Sequence, residues 1–181
     1  IFQSPSPNLM IEFQGGEPLL NWPVVKFIVQ YAKEKNKHHK RALHFGLISN
    51  FSLLDDVKID FLIAHGVSFC TSLDGPKDLH DKNRIYIGGN SHESVLAGLQ
   101  EIIARKAAGQ KVDTPNAICT ITKHSLGRAP EIAIVRRLPI VSKIAGKFGS
   151  ILAHEPLPRL SLRRLSCVCW SPSMLTDRKK R

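Results

Sequence analysis

The sequence predicts an α/β fold built on a parallel sheet. Three observations carry that prediction. Short apolar runs of strand length alternate with longer segments whose apolar residues recur at three- and four-residue spacing. Turn or capping residues separate most of them, which is the mark of βαβ units. The composition, 43% hydrophobic and 23% charged over 181 residues, is that of a globular chain with one core.

The elements follow in order. Ile1 to Asn8, with two prolines and two serines, reads as a loop. Leu9 to Gln14 (LMIEFQ) has the length of a buried strand, and Gly15-Gly16-Glu17-Pro18 stops it. From Pro23 to Lys35 the residues Val24, Val25, Phe27, Ile28, Tyr31 and Ala32 form one helix face, with Asn21 as its cap. Lys35 to Arg41 reads as a solvated basic loop. Leu43 to Ser49 is the second strand. Asp55 or Asp56 caps a helix carrying Val57, Ile59, Phe61, Leu62 and Ala64, and Gly66 closes it. Val67 to Leu73 is the third strand, ended by the turn Asp74-Gly75-Pro76. Asn90 and Glu93 have the spacing of a capping box for a helix with Val95, Leu96, Leu99, Ile102 and Ile103 on one face, fading at Gly109. Ala117 to Thr122 is the fourth strand. Pro130 suits the first turn of a further helix.

Composition excludes several classes. No apolar run approaches the ~18 residues that span a bilayer, so no membrane partner is expected. The N-terminus lacks a basic stretch followed by an apolar one, so it does not read as a secretory signal. Cysteines 70, 119, 167 and 169 make no disulfide framework, which points to a reducing, cytoplasmic setting. The chain begins with Ile1 and reads as a piece of something longer. The net charge of +11 divides unevenly: residues 1–134 are net +2 and residues 135–181 net +9. Basicity confined to a tail argues against a nucleic-acid face on the fold.

In parallel sheets ligands gather at the carboxyl ends of strands. The informative loops are therefore Gly15 to Pro18, Ser49 to Ser52, Ser72 to Arg84 and Thr122 to Ser125. Two glycines after a strand let backbone approach a ligand, and Glu17 offers a carboxylate for an ammonium group. By spacing alone the same residues make an ordinary tight turn. Ser49, Asn50 and Ser72 add hydroxyls and an amide, and Arg84 a guanidinium for a carboxylate. Together these groups suit an amino acid bearing a ribose.

The segments FQGGEPLLNWPVVKFIVQYAKE and FCTSLDGPKDLHDKNR strongly resemble the radical S-adenosylmethionine superfamily. Within it the chain is similar to peptide maturases related to the anaerobic sulfatase-maturating enzymes. With TITKHSLGRAPEI, the wording is similar to the radical maturases of the His-Xaa-Ser peptide system. The resemblance covers about Asn8 to Glu131. It implies a partial (β/α)6 TIM-like barrel, incomplete, with about strands two to five present.

The resemblance also implies a site and a chemistry. Gly15, Gly16 and Glu17, with Pro18 fixing the turn, would contact the methionyl amino group of S-adenosylmethionine. Ser72 and Arg84 would hold its ribose and carboxylate, joined by Asn50 and Asp74. Asp74 also reads as a plain turn residue before Gly75. The implied activity is cleavage of S-adenosylmethionine at a [4Fe–4S] cluster, fed by a low-potential electron donor. A precursor peptide or protein would be modified, and sulfatase maturation is an alternative parent activity. A non-catalytic domain binding nucleosides or S-adenosylmethionine is the other function class.

Two departures accompany the resemblance. The family's cluster motif, C-x3-C-x2-C, is expected upstream of Ile1, so this chain carries no metal ligands or catalytic residues of its own and is expected to be inactive. Cys70 and Cys119 sit singly in apolar strands, and Cys167-x-Cys169 lacks further ligands. After about Glu131 the helical periodicity fails, and Arg, Leu, Ser and Pro dominate to the run Arg178 to Arg181. Residues from about 133 onward read as a frameshifted or misjoined segment. A genuine basic tail for nucleic acid or an acidic partner is the competing expectation.

Overall fold

The computed structural model describes residues 1–87 and 90–137. Four strands form one parallel sheet in the order β1 (Asn8–Phe13), β2 (Ala42–Ile48), β3 (Val67–Ser72), β4 (Asn116–Ile118), and the sheet is not closed. Among the described residues five helices accompany it: α1 (Trp22–His39), α2 (Asp56–Ala64), α3 (Lys77–Asn83), α4 (Ser91–Ala107) and α5 (Ala129–Arg137). A 3-10 turn, Pro18–Asn21, precedes α1. Among the described residues no helix is long and apolar enough to cross a membrane.

Register explains which face is buried. Leu9 pairs with Leu43, Ile11 with Phe45 and Phe13 with Leu47, while Phe45 pairs with Val67 and Leu47 with Phe69. Period-two alternation puts these apolar residues on one face. Val25 and Val29 of α1, Leu62 of α2 and Val95, Leu99 and Ile102 of α4 join Phe13, Phe45, Leu47, Val67 and Phe69 in one core cluster, against which Ile11 and Leu43 pack. The other face carries Met10, Glu12, His44, Ser68 and Cys70, and is more polar and more exposed.

The caps of α2 follow the sequence reading. Asp55 accepts from Lys58 N at 2.8 Å, and Gly66 follows the helix at φ +69°. Elsewhere the structure departs from it. The basic segment after Lys35 is the last turn of α1, because Lys37, His38 and His39 complement the helix C-terminal dipole. The turn closes at Lys40, at φ +50°, whose N–H reaches Asn36 O at 2.7 Å. Asn21 makes no side-chain cap. Helix α3 was not foreseen, since seven residues with a lone leucine show no apolar period.

The capping box of Asn90 and Glu93 does not form. Asn90 Oδ1 and Glu93 both turn to Lys77 instead, at 2.6 and 3.3 Å. Asp81 of α3 does the capping from outside, accepting from His92 N at 2.9 Å and Ser91 Oγ at 3.1 Å. Strand β4 is shorter than expected because the chain after Ile118 is diverted: Thr120 N donates to the Asp74 carboxylate at 2.8 Å. Pro130 lies in the first turn of α5, which continues to Arg137 across the composition break. The bulk of the basic tail, with Cys167 and Cys169, lies outside the described residues.

Candidate functional site

The loops leaving β1, β2, β3 and β4 lie at the carboxyl end of the sheet, where those of β1 and β2 join in one group and those of β3 and β4 in another. Gly15 leaves β1 at φ +138°, a conformation that L side chains rarely adopt. An added Cβ would meet nothing within 4 Å at either Gly15 or Gly16, so open space lies over this backbone. Glu17 then caps the 3-10 turn, its Oε1 accepting from Leu19 N at 3.0 Å, with Pro18 at the turn's first position.

The β2 exit holds Glu17 from the other side. Ser49 Oγ donates to Oε1 at 2.9 Å, and Asn50 N donates to Oε2 at 2.9 Å. Three donors therefore fix the carboxylate, yet among the described residues Oε2 takes a single donor, which leaves it acceptor capacity for a ligand. The side chain of Asn50 turns inward to Ser52, accepting from its N at 2.9 Å and its Oγ at 2.6 Å. Asn50 thus reaches Glu17 through its backbone.

The β3 exit is a clamp. Asp74 is fully buried, and its carboxylate takes Arg84 Nε at 2.8 Å and Nη2 at 3.2 Å. Thr120 N and Asn83 Nδ2 complete its acceptor set, at 2.8 and 3.4 Å. Arg84 also donates from Nη2 to Thr120 Oγ1 at 2.9 Å. Its Nη1 makes no hydrogen bond among the described residues, so one edge of the guanidinium stays available for an anion. Asp74 faces Arg84 rather than open space, and its role here is to orient that side chain. Ser72, half-buried at the end of β3, makes no side-chain hydrogen bond among the described residues.

The expected residues thus fall into two groups. Glu17 and Asn50 meet directly, as do Asp74 and Arg84. Sequence reasoning missed Thr120 as a partner of the clamp, because its link to Asp74 spans 46 residues. It also missed Phe51, which follows Asn50 at φ +62°. A non-glycine residue there costs about 1–3 kcal/mol and persists only where packing over-determines it. No sequence signal marked it, because the left-handed backbone at Phe51 is set by its tertiary packing.

Burial and hydrogen bonding set the nearby titrations. His80 of α3 is fully enclosed, its Nδ1 accepting from Asp74 N at 3.2 Å. Desolvation pushes its pKa down to about 4, against a smaller upward pull from Asp74. Asp81 is held down at about 2, where hydrogen bonds from Lys77, His92 N and Ser91 outweigh desolvation.

A cofactor and a cluster ask different things of these residues. Acceptors at Glu17, a free edge on Arg84 and open backbone at Gly15 and Gly16 fit the amino and carboxylate groups of an amino-acid-bearing nucleoside. No group of three or more metal-ligating side chains occurs among the described residues. Cys70 and Cys119 lie on β3 and after β4, apart from any third thiol there. The described residues therefore do not supply a cluster's ligand set.

No family model matches the sequence, and no curated protein matches it. Solved structures do. The fold is similar to native anSMEcpe, an anaerobic sulfatase-maturating enzyme, with bound AdoMet and Cp18Cys peptide, at TM-score 0.66 and 21% identity. It is equally similar to that protein with AdoMet alone, TM-score 0.65, and with AdoMet and Kp18Cys peptide, TM-score 0.63, both at 21% identity. In each case 75% of this chain aligns with 36% of the other, so the chain spans about a third of the length of the structures it matches. At this identity the likeness shows a shared fold, which among the described residues is an open sheet of four parallel strands with helices.

Proposed function

We propose that this chain is the S-adenosylmethionine-holding part of a radical peptide maturase. The observation that carries the reading is the Glu17 carboxylate. It stands beside open glycine backbone at the β1 exit, fixed by Ser49 and Asn50 with acceptor capacity to spare. Solved structures of the same fold contain AdoMet and peptides, which supports the same cofactor and substrate class here.

In this reading Glu17 Oε2 accepts from the methionyl ammonium, and Arg84 Nη1 donates to the carboxylate. Asp74 keeps Arg84 extended toward that partner. Ser72 offers a hydroxyl to the ribose, and Gly15 and Gly16 allow backbone contact that a side chain would block. S-adenosylmethionine, when bound at a reduced [4Fe–4S] cluster, supplies radical chemistry for modifying a precursor peptide. The sequence contains no C-x3-C-x2-C, so we assign this chain the binding role and expect no turnover from it alone.

Titration calorimetry tests the reading. The folded chain should bind S-adenosylmethionine, and Glu17→Gln should weaken binding about tenfold or more, the worth of one charge-assisted hydrogen bond. Adenosine, lacking ammonium and carboxylate, should bind more weakly and be indifferent to Glu17→Gln. A folded chain that ignores S-adenosylmethionine sinks the proposal. Equal affinity for adenosine and S-adenosylmethionine would instead favour a plain nucleoside-binding domain.

A further inference from the structure

The loop after β2 contains an arrangement that the cofactor reading does not use. Phe51 stands at φ +62° and is buried, 3% exposed. Its N–H donates to Ser49 Oγ at 3.0 Å, and Ser49 Oγ in turn donates to Glu17 Oε1. The residue between them, Asn50, gives its N–H to Glu17 Oε2. Both contacts that the β2 exit makes with Glu17 therefore depend on how the chain turns at Phe51. The ring packs edge-on against Phe69 of β3, centroids 6.4 Å apart at 75°.

The ring also rests on α4 at a point made for it. Gly98 lies in the helix interior, where glycine is a poor choice by propensity. A Cβ built on Gly98 would stand 2.7 Å from Phe51 Cβ, 2.8 Å from Cδ2 and 3.0 Å from Cγ. The missing side chain is the room that Phe51 occupies. Gly98 is thus tied through space to Glu17, on a different element and far away in sequence.

We infer that Phe51, seated on Gly98, is a positioning device for Glu17: it holds the Ser49–Asn50 turn so that the carboxylate faces the ligand. The inference rests on the cofactor reading for its purpose, but its geometry can be tested without ligand. Two amides report it, Asn50 N–H and Leu19 N–H, since both donate to the Glu17 carboxylate.

The experiment uses the isotope-labelled full chain. Gly98→Ala should move the Asn50 amide resonance and speed its hydrogen exchange at least tenfold, although alanine is the better helix former. Phe51→Ala should do the same by removing the ring, and it decides the matter if Gly98→Ala does not fold. Phe51→Leu, which keeps apolar bulk, should largely preserve the slow exchange of the Asn50 amide. Val67→Ala, a core truncation at the opposite end of β3, should lower stability yet leave the Asn50 shift in place. Both disruptive variants should weaken S-adenosylmethionine binding about tenfold. A folded Phe51→Ala chain whose Asn50 and Leu19 amides exchange at wild-type rates overturns the inference. If the wild-type chain binds no S-adenosylmethionine while these amide changes appear, the positioning stands and the cofactor reading falls.

Discussion

His80 shows how one buried side chain couples the site to pH. Its Nδ1 accepts from Asp74 N, so the neutral ring carries its proton on Nε2, which is buried without a partner among the described residues. The folded state therefore resists a second proton, and the pKa falls from 6.5 to about 4. The unfolded chain binds that proton more readily, so the stability from neutral His80 is complete above pH 6.5 and is lost as pH drops toward 4. A shift of this size corresponds to at most roughly 3 kcal/mol. His92, lowered by burial in the same way, adds to the trend. The melting temperature should fall between pH 7 and pH 4.5. His80→Asn keeps an acceptor for Asp74 N and cannot titrate, so that decline should shrink by about half. An unchanged decline would show that other groups set the acid limit.

Helix capping carries the predictions at the scale of elements. Asp55 caps α2 from the position its sequence suggested, so Asp55→Ala should cost about 1 kcal/mol, read as a lower melting temperature. Helix α4 reverses the local expectation. Asn90 makes no cap bond, whereas Asp81 reaches in from α3 to two donors of the first turn. Asp81→Ala should therefore destabilise the chain by about 1–2 kcal/mol, and Asn90→Ala by clearly less. Denaturant melts of the two variants would check this order, and a larger loss at Asn90 would return the cap to the local sequence. The result bears on the site, because α3 and α4 frame the Asp74–Arg84 clamp.

The whole molecule is an open sheet whose two outer strands, β1 and β4, each have one neighbour among the described residues. Unpaired strand edges recruit other chains. Met10 stands half-exposed on β1, on the more polar face of the sheet. The chain should associate increasingly with concentration. Met10→Lys should reduce that association in light scattering, since a charge on an edge strand opposes strand addition. Ligand binding acts on the whole fold as well. Saturating S-adenosylmethionine at about a hundred times its dissociation constant should add roughly 2.7 kcal/mol to stability. A thermal shift abolished by Glu17→Gln would tie that gain to the β1 exit.

Much of this architecture is legible in the sequence because its causes are local. Short apolar runs marked β1 to β3, three- and four-residue spacing marked α1 and α4, and an aspartate pair, of which Asp55 is the cap, with Gly66 bounded α2. The turn of Gly15, Gly16 and Glu17 was legible for the same reason, since a turn with open backbone and a carboxylate needs only adjacent residues. What tertiary structure decided lies across long separations. Ser49 meets Glu17 over 32 residues, and Thr120 meets Asp74 over 46. The cap of α4 by Asp81, the shortening of β4 and the seat of Phe51 on Gly98 belong with them. None could be read locally, because a hydrogen bond or a steric gap between distant residues leaves no period or spacing behind. It exists only once the sheet has brought its strand ends together.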